Sequence, residues 1–300
     1  MSAVAPDLVD ISDHSPVMVV EVPQARPSVR RVIGATLSIF ALLVLAFCIY
    51  EFALSGFMEA RSQRFLLSQF RSLTDQGPAT TVEWAPVQGQ PVAILTIPRL
   101  GVQNVVVEGT TSSRTTEGPG HYRGSALPGR PGNSVIIGRR TTYGKPFGAI
   151  GTLKAGDPIL LTTGVGSFTY TVQGVSVVRP GAADVLGPTP DNRLTLVTSD
   201  PAYVASARLV VVALLSGTPA SEPLLAPPML TSSEYGMTGN SASFGPFLIW
   251  VEVLVAALVA TVWMSRRVSR RVAIFLAAPI VIALLFAIYG ALNQLLPATF

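Results

Sequence analysis

Cysteine is almost absent. The single one, Cys48, lies inside an apolar run, so no disulfide can form within one chain and no Cys-x-x-Cys or Cys/His metal spacing exists. Cys48 reads as a small apolar membrane residue. Histidine is nearly as scarce. His14 sits alone in a polar leader, where it reads as solvated, and His121 is the only other. No cofactor or metal is implied. Charge is thin as well. Charged residues make up 13 % of the chain, against about 25 % in an average soluble domain, and the mean hydropathy is positive. Part of the chain therefore belongs in lipid. The formal net charge is +4, but the densest basic cluster, Arg266, Arg267, Arg270 and Arg271, lies between two apolar runs. That placement argues against nucleic acid as a partner.

Three long apolar runs are present. Val32 to Tyr50 is nearly free of polar residues, and about 20 such residues cross a hydrocarbon core. It follows a polar leader and ends in bulky Tyr50, Glu51 and Phe52, which suits an uncleaved anchor better than a signal peptide. The second run is Phe244 to Met264 and the third Val272 to Leu292. Glu252 is the one carboxylate within the second run; it reads either as a functional flag or as a group near the headgroups or facing another helix. Arg26, Arg30 and Arg31 precede the first run, and the other basic cluster separates the last two. The positive-inside rule puts both clusters in the cytoplasm and the segment 52–243 outside.

These signals divide the chain as follows. Residues 1–31 form a disordered cytoplasmic tail, 32–54 a first transmembrane helix, and 55–90 a juxtamembrane helix and linker. The helix is expected over Phe57 to Leu73, where phenylalanines alternate with arginines. Residues 91–216 carry short apolar or alternating runs separated by turn residues such as Pro131-Gly132-Asn133 and Gly156-Asp157. About seven strands at this spacing predict a β-barrel or sandwich. A Pro/Ser-rich linker follows at 217–243, then a second transmembrane helix at 244–265, a basic cytoplasmic loop at 266–271, a third transmembrane helix at 272–293 and a tail at 294–300.

Within the outer domain, four segments in order are similar to actinobacterial class E sortases: ILTIPRLGVQNVVVEGTT (94–111), EGPGHYRGSALPGRPGNSVIIGRRTTYGKPFGAI (117–150), LTLVTSDP (194–201) and RLVVVALL (208–215). The resemblance implies a mainly β fold, a sortase-type eight-stranded β-barrel outside the membrane, carried on three transmembrane α-helices. It also implies a membrane-anchored cysteine transpeptidase that cuts a sorting signal and joins it to an amine. Three residues would do this: a His after the GNSVIIG strand, a Cys ending the TLVT strand, and an Arg opening the last strand. In this chain the His position holds Arg139, the Cys position holds Ser199, and Arg208 matches the Arg.

The two departures remove the chemistry. A serine hydroxyl has no thiolate-like anionic fraction and needs a general base. A guanidinium stays protonated and offers only donors, so Arg139 cannot be that base. The expected role is a catalytically inactive binding or scaffold subunit of a cell-envelope membrane complex. The alternative is a weak Ser199-dependent peptidase or transpeptidase, with His121 as the rescue base and Arg208 steadying the oxyanion; the plainer role for His121 is packing or hydrogen bonding in a loop. Asp200 follows Ser199 and could pair with Arg139 or Arg208. Those two arginines together could instead hold a peptide C-terminus or an acidic side chain, or be solvated or internally paired. Expected partners are the membrane, other envelope membrane proteins, and peptide C-termini or sorting signals. The expected location is the plasma membrane, multi-pass, with a cytoplasmic N-terminus.

Overall fold

The computed structural model describes residues 29–75, 86–179, 183–203, 205–221, 230, 234, 239–267 and 269–299. Most of the expected leader and of the Pro/Ser-rich linker lies outside these residues. The chain divides into two compact units, 1–44 and 45–300. The first contributes only helical residues 29–44; the second holds the barrel and the other helices.

Eight strands close into a barrel: β1 (Pro91–Ile97), β2 (Val102–Glu108), β3 (Gly120–His121), β4 (Asn133–Ile137), β5 (Pro158–Thr163), β6 (Gly166–Val178), β7 (Arg193–Asp200) and β8 (Ala207–Ser216). Their order around the barrel is β1-β2-β3-β4-β7-β8-β6-β5. Period-two alternation accounts for β5, whose residues alternate between exposed and buried, as one-sided strands must. β4 and β7 have no such alternation and are buried along nearly their whole length, because a second apolar cluster, with Tyr122 and Leu186, covers Val135, Ile137 and Val197 on the face away from the interior. The interior is filled by Leu95, Ile97, Ile136, Phe147, Ile159, Leu161, Leu194 and Leu196, all completely buried. The strand without a sequence signal is β3. Two residues carry no period, yet they bridge β2 and β4 and complete the closure.

The strand directions decide where the site forms. β4 and β7 are parallel, with Ile137 beside Val197, so the residues leaving both strands emerge at one end of the barrel. β8 is antiparallel to β7, with Arg208 opposite Ser199, so the start of β8 reaches the same end. Gly138 N–H donates to the Val197 carbonyl at 3.0 Å and Thr198 Oγ1 to the Gly138 carbonyl at 2.7 Å. These bonds carry the ladder one step past β4.

Three helical stretches are long and apolar enough to cross a membrane: Leu37–Asp75, Ser241–Ser265 and Arg270–Leu295. The sequence reading separates an anchor from a juxtamembrane helix. In the structure α1 (Val29–Ile49) and α2 (Ser55–Asp75) are continuous, joined by a π-helical turn, Tyr50–Leu54. A π turn inserts a residue into the helical ladder and rotates the side chains beside it. Here the turn holds Tyr50 and Glu51, both buried. α2 then lies against β2. Gln63 Nε2 donates to the Val105 and Glu117 carbonyls at 3.0 and 2.8 Å, while its Oε1 accepts from Val105 N–H at 2.6 Å. Leu66 packs on Val105 and Val107 beside it. A short helix α3 (Ser112–Thr115) follows β2.

α4 (Phe244–Ser265) and α5 (Arg270–Leu295) match the second and third runs within a few residues, and α5 absorbs Arg270 and Arg271 from the expected loop. Ser269 caps α5 by accepting from Val272 N–H, which explains the earlier start. Tyr50, Ile288 and Tyr289 form a shared apolar cluster with Phe47, Phe247 and Val251. Glu252 is exposed on α4.

Candidate functional site

The barrel end brings Arg139, Ser199 and Arg208 together as the sequence reading expects, and all three are buried. Arg139 takes the internally paired alternative, with partners the sequence did not name. Arg139 is fully enclosed. Nη1 donates to Thr142 Oγ1 at 3.1 Å. Nη2 donates to the Ser112 carbonyl and Ser112 Oγ, both at 3.1 Å, and to Asn293 Oδ1 at 3.0 Å. Its Cζ lies 4.7 Å from the centre of the Tyr143 ring, within cation–π range. Asn293, near the end of α5, turns its amide nitrogen to both carboxylate oxygens of Glu51 at 2.8 Å. A buried guanidinium and a buried carboxylate are thus joined through one amide. Burial pushes Arg139 down to about 10, against the opposing influence of Tyr143, Glu51 and Tyr50. At neutral pH it remains a cation and a donor, with no lone pair to offer a hydroxyl.

The π turn supports the same corner. Tyr50 Oη lies 3.4 Å from Tyr143 Oη, and Tyr143 N–H donates to Ser55 Oγ at 3.0 Å. Ser55 Oγ in turn donates to the Glu51 carbonyl.

Ser199 Oγ donates to the Thr299 carbonyl at 2.9 Å. The same oxygen accepts from Arg140 N–H at 3.2 Å. A hydroxyl hydrogen directed at a carbonyl oxygen makes Ser199 a donor in this arrangement. A nucleophile would present its lone pair to the carbonyl carbon, with a base holding the proton.

Asp200 pairs with neither Arg139 nor Arg208. Arg140 Nη1 donates to Asp200 Oδ1 at 2.6 Å and to the Ser199 carbonyl at 2.5 Å. Neighbouring residues in extended chain point to opposite sides, so with Arg139 turned inward Arg140 is left to take the rim carboxylate. Arg139 and Arg208 are likewise not brought to a common carboxylate among the described residues, because the Arg139 contacts are taken by Ser112, Thr142 and Asn293. Burial pushes the Arg208 guanidinium below its usual range, with Tyr122 acting in the opposite sense.

His121 sits on β3 with both ring nitrogens engaged. Nδ1 lies 2.8 Å from Glu108 Oε2, and Nε2 lies 2.9 Å from the Ala126 carbonyl and 3.2 Å from Ser125 Oγ. A carboxylate and a carbonyl are both acceptors, so the ring fits best as a doubly protonated donor. It is not placed to take a proton from Ser199. Burial pushes its pKa down, but the Glu108 charge and hydrogen bond, with the Ala126 bond, outweigh this and leave it raised. A raised histidine pKa contributes stability in full below its unfolded value, about 6.5, and loses it as pH rises through the folded value. The thermal midpoint should therefore fall as pH rises above about 6.5, and Glu108→Gln should flatten that slope. An unchanged slope in the variant would remove the pair from the account. The measurement is a set of unfolding curves across pH.

Among the members of this site that the sequence reading missed are Glu51, Ser112, Asn293 and the Thr299 carbonyl. Asn293 had a signal, being the polar residue that ends the expected third transmembrane helix, 272–293, since polar groups in such segments seek partners.

A family model described as the sortase domain matches residues 95–216. The chain is 28 % identical over 205 residues to Sortase SrtE1 of Streptomyces coelicolor, covering 63 % of this chain and 58 % of that protein. It is 33 % identical over 108 residues to Sortase D of Bacillus subtilis, covering 36 % of this chain and 52 % of that protein. The chain thus spans little more than half the length of these curated relatives. Among solved structures, sortase E from Streptomyces avermitilis is 36 % identical, with 44 % of this chain and 91 % of that chain covered and a TM-score of 0.40. Residues 95–216, which hold most of the closed eight-stranded barrel, therefore carry a sortase domain.

Proposed function

We propose that this protein is a catalytically silent sortase-like subunit that binds or scaffolds other components of a cell-envelope membrane complex. The observation that carries this reading is Arg139. It stands where the family resemblance puts a histidine, and both of its terminal nitrogens donate to structural acceptors. Ser199 has a carbonyl, not a base, at hydrogen-bond distance. General-base help is worth about 10²–10⁴-fold to a hydroxyl nucleophile, and no described group is placed to supply it.

The three apolar helices support a membrane location. The two basic clusters support a cytoplasmic N-terminus with the barrel outside. A single tether would be enough to localise an enzyme; two further spans give a scaffold lateral surface. α4 offers such a surface, with Leu248, Ile249, Val255 and Val259 all exposed. In mild detergent the protein should leave the membrane in a stable complex with another membrane protein. Recovery as a lone monomer from its native membrane, under conditions that preserve known complexes, would contradict the scaffold role.

A further inference from the structure

α4 is apolar along its length with one exception. Its 22 residues, Phe244 to Ser265, hold a single charged side chain, Glu252. Glu252 is eight residues from the first and thirteen from the last, so at about 1.5 Å per residue it lies about 12 Å from one end and about 20 Å from the other. One side of the helix is committed within the chain. Phe247, Val251 and Leu254 pack on the cluster of Tyr50, Ile288 and Tyr289. Those positions follow the i, i+4, i+7 spacing of a single helix face. Glu252 is on another face, with Leu248 four residues before it, Ala256 four after and Val259 seven after, all exposed. Among the described residues Glu252 makes no hydrogen bond or ion pair.

A carboxylate at this depth on a lipid-facing helix is costly unless a partner meets it. Acyl chains offer none. Nor does this chain, whose three apolar runs hold no Lys or Arg and whose histidines are His14 and His121. A second copy fits no better, because a two-fold contact through this face sets Glu252 against Glu252, two like charges. We propose that the Glu252 face of α4 docks a transmembrane helix of a different membrane protein, one that carries a Lys, Arg or His at the depth of Glu252. The small side chain of Ala256 lets the second backbone come close. Leu248 and Val259 supply the apolar contact on either side of the charge pair. This inference rests on the scaffold reading and gives the partner its chemistry: an intramembrane cation.

The test uses the full chain in its native membrane, with photoreactive benzoylphenylalanine placed at Ala256. Illumination should give one discrete adduct with another membrane protein, and the same probe at Phe247, on the packed side of α4, should give none. Mass spectrometry of the adduct should place the cross-link in an apolar segment that holds a Lys, Arg or His. Glu252→Leu should lower the adduct at least about 10-fold, as loss of one member of a buried charge pair does. Glu252→Lys should do the same, and replacing the partner's basic residue by Glu should then restore about half of the adduct or more. Glu252 is exposed within the chain, so Glu252→Leu should leave the melting midpoint of the purified protein within about 2 °C. If Glu252→Leu does not fold, Glu252→Gln takes its place with the same outcomes. An adduct unchanged in Glu252→Leu, an adduct with a second copy, or a partner segment without a basic residue would overturn this surface and leave the scaffold role standing. So would a stable complex in mild detergent with no adduct at Ala256. No adduct together with a lone monomer would overturn both.

Discussion

Arg139→Met should lower the thermal unfolding midpoint of the full chain in detergent by on the order of 10 °C, the equivalent of about 3–5 kcal/mol. Methionine has a similar length and no donors. Its introduction strands Asn293 Oδ1 and leaves the Ser112 carbonyl with Thr115 Oγ1 in place of the guanidinium that now meets both. It also leaves the Glu51 carboxylate, 1 % exposed, without a nearby cation. A buried pair is costly to break from one side because the surviving charge stays buried. Adding Glu51→Gln should therefore recover part of the loss, since it removes that charge. Arg139→Lys should fall between the wild type and Arg139→Met, because an ammonium keeps the charge but not the planar fork that reaches Ser112 and Asn293 at once. A midpoint for Arg139→Met within about 2 °C of wild type would show that the arginine is incidental. The measurement is a thermal melt followed by intrinsic fluorescence.

Asn293→Leu should cost nearly as much, about 3 kcal/mol, by removing the acceptor for Arg139 and the donor to Glu51 together. It should also loosen the end of α5 from the barrel, because the side-chain bonds to Arg139 and Glu51 are lost and the 3.3 Å bond from Ser112 Oγ to the main-chain carbonyl of residue 293 is left to hold that corner. Limited proteolysis should then cut within residues 294–299 at least several-fold faster than in wild type. The two substitutions act on one network, so their combination should be non-additive by about 1–3 kcal/mol. Additive losses would mean that Arg139 and Asn293 stabilise separate parts of the molecule.

Much of this architecture is legible in the sequence because it rests on periodicity. The strand alternation of 158–162, the apolar runs of the three helices and the turn residues between strands each predict an element that the structure contains. The positions of Arg139, Ser199 and Arg208 are legible for a different reason. They border segments that resemble the family closely, and parallel pairing of β4 with β7 brings them to one end of the barrel.

The surroundings of those positions were not legible, and the reasons are physical. β3 is two residues long, too short to show a period. The Thr299 carbonyl is a main-chain group, and every residue has one. Asp200 turned to Arg140 rather than to Arg139 or Arg208, a choice made by which side of the extended chain each arginine leaves. Glu51 and Asn293 are far apart in sequence and meet only because the π turn and the end of α5 reach the same corner. No local pattern encodes such a long-range polar contact.

Turnover of a sorting-signal peptide in the presence of an amine acceptor, by the intact chain and by Ser199→Ala, tests the silent assignment most directly. Wild type and variant should give the same background, with no acyl intermediate on the protein by intact mass. A rate that falls 10-fold or more in Ser199→Ala, or a mass increment at Ser199, would make Ser199 a nucleophile and contradict the account.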